Sequence, residues 1–532
     1  MHKDSIRTFH IPTLTRSSSI LIDTGTRKAT LTLQKQHPQS IFGIISYTSG
    51  GNIMRLSLSV FVSSLFCLVS ALAAAQGAVS SEPVQINGVF PSLTVFASGV
   101  NSRSETGVGA LIPWADKLWA IGYVAHIHGA GIGLYEISED MTMRLHPEAV
   151  TGTFANRLVH WETSQAVIGP HVIDAEGNVR TIEALKGHRL TATARHLVHP
   201  KSMVYFLTME GLFFETDLLS LETTELADLK ETLKIDGQAH FKGCHTAQGR
   251  VVVANNTYEE EEFLGTRAAG CLAEWDGETW TVLERNPFVE VSGKQNPIAG
   301  QRFGNTLFAT GWDKSSAILR VLHDGQWSRY LLPKGSQSFD HTWNTEWMRI
   351  REAQTERYIM DLHGIFYELP ALIYAGRVWG IRPISTHLRI VPDYCHWRGL
   401  FVMASDQTDN AVGQPQSGLW FGNIDDLWNM GKPAGWGGPW WDSPVQADVP
   451  SDPYLMTGFD HKVLHLQNKA EEAVTFTVEV DFLGDASWVT YAAKELQAQE
   501  YLHHEFPAAF SAHWVRLRAN KDCQATAHFI YR

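Results

Sequence analysis

The feature that most restricts this chain is a repeated short-strand grammar running from Gly107 to Arg532, almost without a long amphipathic helix. Apolar runs are separated by Gly, Asp and Asn turns, as in a sandwich, barrel or propeller. The units read "GALIPWADKLWAIGYVAH", "NRLVHWETSQAVIGPHVIDAEGNVRTI", "RHLVHPKSMVYFLTMEGLFFETDLLSLETTEL", "GRVVVANN" with "GCLAEWDGETWTVLE", "NTLFATGWDKSSAILRVLHDGQWSRYLLP", "RYIMDLHGIFYELP" and "GLFVMASD" with "GLWFGNIDDLWNM". The clearest internal repeat sets "EWDGETWTVLE" against "LHDGQWSRYLL". In each, Asp-Gly supplies the positive-φ positions of a tight hairpin, and the following Trp packs between adjacent sheets. Seven such units, of about forty to sixty residues each, match the blades of a propeller, which protects sheet edges by radial repetition. The predicted fold is all-β, a seven-bladed β-propeller over 76–532, whose C-terminal strands close or cover the last blade. Two stacked β-sandwiches are the alternative.

The N-terminal text is of two kinds. Residues 1–53 are polar, rich in Ser and Thr and aperiodic, which predicts disorder. From Met54 the chain reads "MRLSLSVFVSSLFCLVSALAAAQG", with Arg55 as a short positive region, an apolar stretch to Leu72 and a small-residue cleavage site at Ala73–Ala75. This is a secretory signal over 54–75 behind an extension. Met54 is therefore read as the initiator, 1–53 as a gene-model artefact, and the protein as secreted and extracellular. No later stretch reaches the length of a transmembrane helix. Beyond the signal stand Cys244, Cys271, Cys395 and Cys523, too few for a disulfide framework in a chain of 532 residues. Asn255-Asn256-Thr257 is a single glycosylation sequon, consistent with secretion.

A formal charge of −13 argues against nucleic acid or an anionic membrane as partner. A site for an acidic sugar must then be a local island of Arg, Lys and His. Such residues recur at one phase, in the strand of each unit predicted nearest the axis. They are Asn156, Arg157 and His160, then Arg195 and His196, then Lys242 and His245, then Arg302, Arg349 and Arg351, then His387 and Arg389. Singly, each reads as a satisfied structural group or a surface charge. Facing one shared channel, they would form a cationic pocket suited to a carboxylated or phosphorylated ligand. His160, between Val159 and Trp161, is the odd one: a titratable ring in a strand that reads as buried.

Other chemistries find little support. The chain has no G-x-S-x-G elbow, H-E-x-x-H helix, P-loop or strand-linked G-x-G-x-x-G. "HIHGAGIG" has glycines but no following helix and reads as a turn. His341, His363, His387 and Cys395 are metal-ligand types, but their spacing matches no zinc pattern. A structural calcium or zinc is the cofactor reading left open.

The ordered series "TGTFANRLVH", "IGPHVID", "TATARHL", "GRVVVANN", "GWDKSSAIL", "TEWMRIRE", "HGIFYELP", "HLRIVPDYCHWRGLFV" and "FSAHWVRLRANKDCQATAHFIYR" resembles secreted seven-bladed propellers acting on rhamnose–uronate linkages. That group holds ulvan lyases, propeller α-L-rhamnosidases and fungal L-rhamnose-α-1,4-D-glucuronate lyases, which remove capping rhamnose from gum arabic; the likeness to the last is strongest. The resemblance implies a polysaccharide lyase that releases terminal L-rhamnose from α-1,4-linked D-glucuronate by β-elimination. It implies a monomer, an acidic plant polysaccharide as partner and no cofactor in the chemistry.

It also makes His160, which ends the "ANR" strand, the expected catalytic residue. Elimination removes the C5 proton and expels the O4 substituent, so the adjacent carboxylate must be neutralised and a base must reach C5. His160 takes the base role and Tyr205 is the candidate acid. Arg157, Arg195 and Arg349 are candidates for the carboxylate clamp, with Asn156, His196 and His245 as further substrate-binding residues. The rival readings are an α-L-rhamnosidase, with a site near His126 and His128, and a non-catalytic glycan-binding propeller with tryptophan platforms.

Overall fold

A computed structural model describes residues 17–23, 28–37, 40–49, 52–56, 87–95, 106–124, 132–257, 270–293, 306–335, 347–354, 357–370, 377–378, 380–405 and 416–532. The chain divides into two units, Met1–Val84 and Gln85–Arg532. In the first, Ser17–Asp23, Lys28–His37, Ser40–Ser49 and Asn52–Leu56 form a four-stranded antiparallel meander. These strands begin within the stretch 1–53 expected to be disordered, the rest of which lies outside the described residues. The Thr30-Leu31-Thr32-Leu33 alternation has the period of a strand, and Thr is itself a strand former. The stretch 57–75, which holds most of the expected signal, lies outside the described residues.

In the second unit seven strands run through the described residues as a closed circuit. They are Thr106–Trp114, Arg157–His160, Leu190–Arg195, Phe241–Ala247, Phe288–Gly293, Arg349–Gln354 and Tyr394–Trp397. Each is the first strand of a sheet whose first four strands are antiparallel, that of Phe288–Gly293 extending further; each packs against the next, and the last returns to the first. Sheets set radially around their first strands make a β-propeller. Each of these sheets contains one of the sequence units, four of which begin only at the sheet's second strand.

Local chemistry explains the repeat. Ala317–His323 and Gln326–Leu332 are joined by Asp324 (φ 46°) and Gly325 (φ 76°), a two-residue turn that needs left-handed backbone at both positions. In the sheet before it, Asp276 Oδ1 accepts from the N–H groups of Glu278 and Thr279 at 2.9 and 2.7 Å, while Gly277 turns the chain. Trp327, after the first of these turns, reaches back one blade and donates to Glu274 Oε2 at 2.9 Å. Near the axis, a Cβ on Gly243 would lie 2.7 Å from the Val289 carbonyl, so only glycine lets these first strands approach so closely.

The expected closure by C-terminal strands is corrected. The seventh sheet (Tyr394–Trp397, Leu400–Ala404, Leu419–Gly422) is completed by Gly88–Val89, through Trp420↔Val89 and Phe421↔Gly88. A two-residue strand carries no readable period, which is why the sequence hid it. The C-terminal strands build two sheets of their own. One is Gly435–Val445, Cys523–Tyr531, Lys462–Asn468 and Tyr501–Glu505. The other, Tyr454–Leu455, Trp514–Ala519, Val474–Asp481 and Val489–Leu496, continues the fifth blade through the parallel pair Leu331↔Tyr454. Leu464, Leu466, Val478, Leu517 and Phe529 belong to one buried cluster.

Two smaller expectations meet this fold. The sequon is corrected: Asn255, Asn256 and Thr257 are wholly buried. Asn255 Oδ1 accepts from Thr257 N–H at 2.9 Å and Thr257 Oγ1 from His240 N–H at 3.1 Å, so the motif is a structural turn. Cys244, Cys271, Cys395 and Cys523 are free thiols.

Candidate functional site

The first strands deliver their side chains to the axis at two levels. Asn156, Arg157, Lys242 and Arg349 stand at or just before the start of their strands; His160 and Arg195 end theirs, beside the hairpin to the second strand. An axial cavity of about 40 Å³ is lined by Asn156, Arg157, Thr193, Lys242, His245, Glu290, Ser292, Arg349 and Arg351, among others. It has room for a few waters or a carboxylate group, and not for a sugar ring.

Electrostatically the cavity is a cationic frame. Arg157 Nε lies 2.9 Å from Asp393 Oδ2, and Arg351 Nε donates to Asp393 Oδ1 at 2.7 Å. Leu111 N–H, from the first blade, gives Asp393 a third contact at 2.7 Å. Arg351 also donates to Glu290 Oε1 at 2.5 Å. Arg349 lies 3.4 Å from Glu290 Oε2, donates to the Pro392 carbonyl at 2.7 Å, and rests over the Trp347 ring at 4.9 Å. Lys242 sits 5.3 Å from the Trp347 ring and 5.8 Å from Tyr123.

Three buried guanidinium groups thus share two carboxylates, with Lys242 in the same wall. Burial opposes ionisation of Asp393, but Arg157 and Arg351 outweigh it and hold the carboxyl below its ordinary value. Burial likewise lowers Arg157 and Arg349, short of any discharge.

Of the residues expected in the site, Asn156, Arg157, His245 and Arg349 line this cavity together. Asn156 Nδ2 donates to Gly169 O at 2.9 Å and Thr193 Oγ1 at 2.8 Å, and its buried Oδ1 is left without a partner. His245 is the imidazole of the cavity wall. It packs across Gly293, where a Cβ would meet its Nε2 at 2.5 Å. Burial, with Arg195 adding to it, pushes His245 down to about 4, so its ring is neutral at ordinary pH.

The other expected residues lie elsewhere, a correction to their grouping. His160 is fully buried at the hairpin end of its strand. Its Nε2 is 3.0 Å from the Pro200 carbonyl, which can only accept, so this nitrogen carries the proton. Nδ1, 2.8 Å from Thr163 Oγ1, then accepts from that hydroxyl, and no lone pair is left for a substrate. Burial lowers the His160 pKa, with Glu162 opposing and Arg195 assisting. Arg195 pairs with Glu162 and donates to Val159 O.

His196 Nε2 stands 3.0 Å from Glu215, and Val198 and His199 N–H groups cap its Nδ1. Tyr205, the expected acid, is a core tyrosine. It stacks between His196 (4.4 Å) and Phe213 (4.9 Å), its hydroxyl accepts from Leu197 N–H at 3.2 Å, and burial pushes it up to about 12. The reason is geometric: strand periodicity fixes which face a residue takes, and says nothing about which end of the strand opens to a ligand.

Sequence reasoning missed Glu290 and Asp393, which organise the arginines. A signal existed for Glu290, a carboxylate in the apolar run "PFVEVSG" at the axial phase. Asp393 precedes its strand and had none. Of the metal-type residues, His341 lies outside the described residues, as do His126, His128 and Arg302. His387 Nε2 pairs with Asp361 at 3.0 Å, and burial pushes the Cys395 thiol up to about 12. Among the described residues no three His, Cys, Asp or Glu side chains are set to hold a metal.

No protein-family model matches the chain, and no curated protein matches it. Among solved structures it is similar to the WD40 β-propeller domain of Doa1, at 9% identity and a TM-score of 0.35, covering 63% of this chain and 98% of that one. U3-55K gives 8%, 0.36, 61% and 99%. The β-propeller domain of Cps50 (Swd1) from Myceliophteria thermophila gives 11%, 0.35, 64% and 100%. At these values the fold assignment rests on the sheet circuit itself.

Proposed function

We propose that this protein is a secreted polysaccharide lyase that releases terminal L-rhamnose from α-1,4-linked D-glucuronate, with the axial cavity as its carboxylate-binding site. The observation that supports the reading is the gathering of basic side chains there. Arg157, Arg349 and Arg351 group around Glu290 and Asp393, and Lys242 and the neutral ring of His245 lie in the same wall.

The uronate carboxylate enters the cavity while the sugar rings rest outside it. Neutralising that carboxylate acidifies the C5–H and stabilises the enolate formed when the proton leaves. His245 takes the C5 proton, the C5 electron pair forms the C4–C5 double bond, and the C4–O4 bond breaks. A proton delivered to O4 releases rhamnose and leaves an unsaturated uronate. His245 replaces His160 as the base in this reading, because the nitrogens of His160 are both engaged. No cofactor enters these steps, and the polymer partner is an acidic plant polysaccharide.

Incubation with rhamnose-capped glucuronate tests the reading. The expected result is free rhamnose together with the ultraviolet absorbance of the unsaturated uronate. Rhamnose without that absorbance would make the protein a rhamnosidase, and binding without either product a glycan-binding propeller.

A further inference from the structure

The C-terminal sheets carry a histidine arrangement that the axial cavity does not use. Antiparallel register sets His465 of Lys462–Asn468 directly opposite His503 of Tyr501–Glu505 on one side and His528 of Cys523–Tyr531 on the other. Directly opposed residues project from one face, with Cβ atoms about 4.5–5.5 Å apart. That face points away from the core: Leu464, Leu466, Ala527 and Phe529, the alternate positions, are buried, while His465 is half-buried and His503 exposed. The His528 ring lies between Trp436 (5.7 Å) and Trp441 (5.1 Å), which walls off that end of the row. His465 Nδ1 is 2.7 Å from Tyr501 Oη, with the two rings nearly parallel at 20°.

We propose that His465 and His503 form a two-imidazole site for a divalent transition metal of the Zn²⁺, Cu²⁺ or Ni²⁺ class, with Tyr501 as the residue that orients His465. Two imidazoles from adjacent strands can chelate one such ion, and water completes its coordination. A hydrogen bond from Nδ1–H to Tyr501 Oη fixes the His465 tautomer and leaves the Nε2 lone pair for the metal. Metal ligation requires neutral rings. Glu505, two residues beyond His503 on the same exposed face, adds negative charge beside the pair. Calcium and magnesium, which select oxygen ligands, are excluded by the donor set.

The test is calorimetric titration of the full-length, chelator-treated protein with Zn²⁺, and in parallel with Ca²⁺. One saturable Zn²⁺ event per chain, absent with Ca²⁺, is expected. His503→Gln, at an exposed position that keeps the fold, should abolish that event, as should His465→Gln; circular dichroism checks the fold of both. Tyr501→Phe should keep the stoichiometry and weaken affinity about tenfold or more. Absence of Zn²⁺ uptake by the unaltered protein, or uptake unchanged by His503→Gln, would overturn the site. Unchanged affinity in Tyr501→Phe would remove the orienting role.

Discussion

The two ends of the axial strands hold similar residue types in opposite states. At the hairpin end, His160 is bound at both nitrogens, Arg195 pairs with Glu162, His196 with Glu215, and Tyr205 is stacked in the core. Around the axial cavity, Arg157, Arg349 and Arg351 share Glu290 and Asp393 beside Lys242, and Asn156 Oδ1 is buried without a hydrogen bond among the described residues. The hairpin end closes on itself because each turn brings its own carbonyls and hydroxyls. The cavity side chains are met instead from neighbouring blades, and a cluster of basic groups is what an anionic ligand would engage.

The largest effect should come from Asp393→Ala. This carboxylate serves two guanidinium groups and a backbone N–H, so its loss strands buried charge and should cost about 3–5 kcal/mol in urea unfolding. A cost near zero would mean the arginines are paired another way. His245→Ala should lower kcat on rhamnose-capped glucuronate by about 10²–10⁴-fold with little loss of stability.

His160→Ala should do the reverse. It removes both hydrogen bonds at the hairpin end, costing about 1–3 kcal/mol, while the folded variant keeps its kcat. Exchange of these two outcomes would make His160 rather than His245 the base.

Acid should act on the fold through neutral buried histidines. Burial pushes His171 down to about 3, and His245, His513 and His528 to about 4. Unfolded, these rings take up protons below an ordinary value of about 6.5, whereas folded they stay neutral to about 4. The unfolded state therefore binds more protons across that window, and stability present above about 6.5 is lost as pH falls toward 4. The urea midpoint at pH 5 should be clearly below that at pH 7; equal midpoints would mean these rings are not held neutral. The smallest change is expected for Arg195→Gln, which breaks a half-exposed ion pair and should cost at most about 1 kcal/mol in the same unfolding assay.

Much of this architecture was legible beforehand, for physical reasons. Asp324-Gly325 and Asp276-Gly277 marked hairpins because few other residues accept that backbone, and short apolar runs marked at least one strand of every blade. The basic residues at the axial phase identified Arg157, Arg349 and His245 as neighbours despite lying roughly 90 to 190 residues apart in sequence. Asp393 and Gly88–Val89 were not legible: a single acid before a strand and a two-residue strand leave no periodic trace.

The sequence alone determined which residues alternate toward a core, where the chain turns, and that basic side chains recur at one phase of the repeat. Those follow from local backbone sterics and from the period of a strand. Tertiary structure alone decided that the chain's early strand closes the ring, that the C-terminal strands extend the fifth blade, and which basic side chains meet around one cavity. These depend on which distant segments meet. Burial makes their electrostatic state a property of the whole ring of blades rather than of any single stretch.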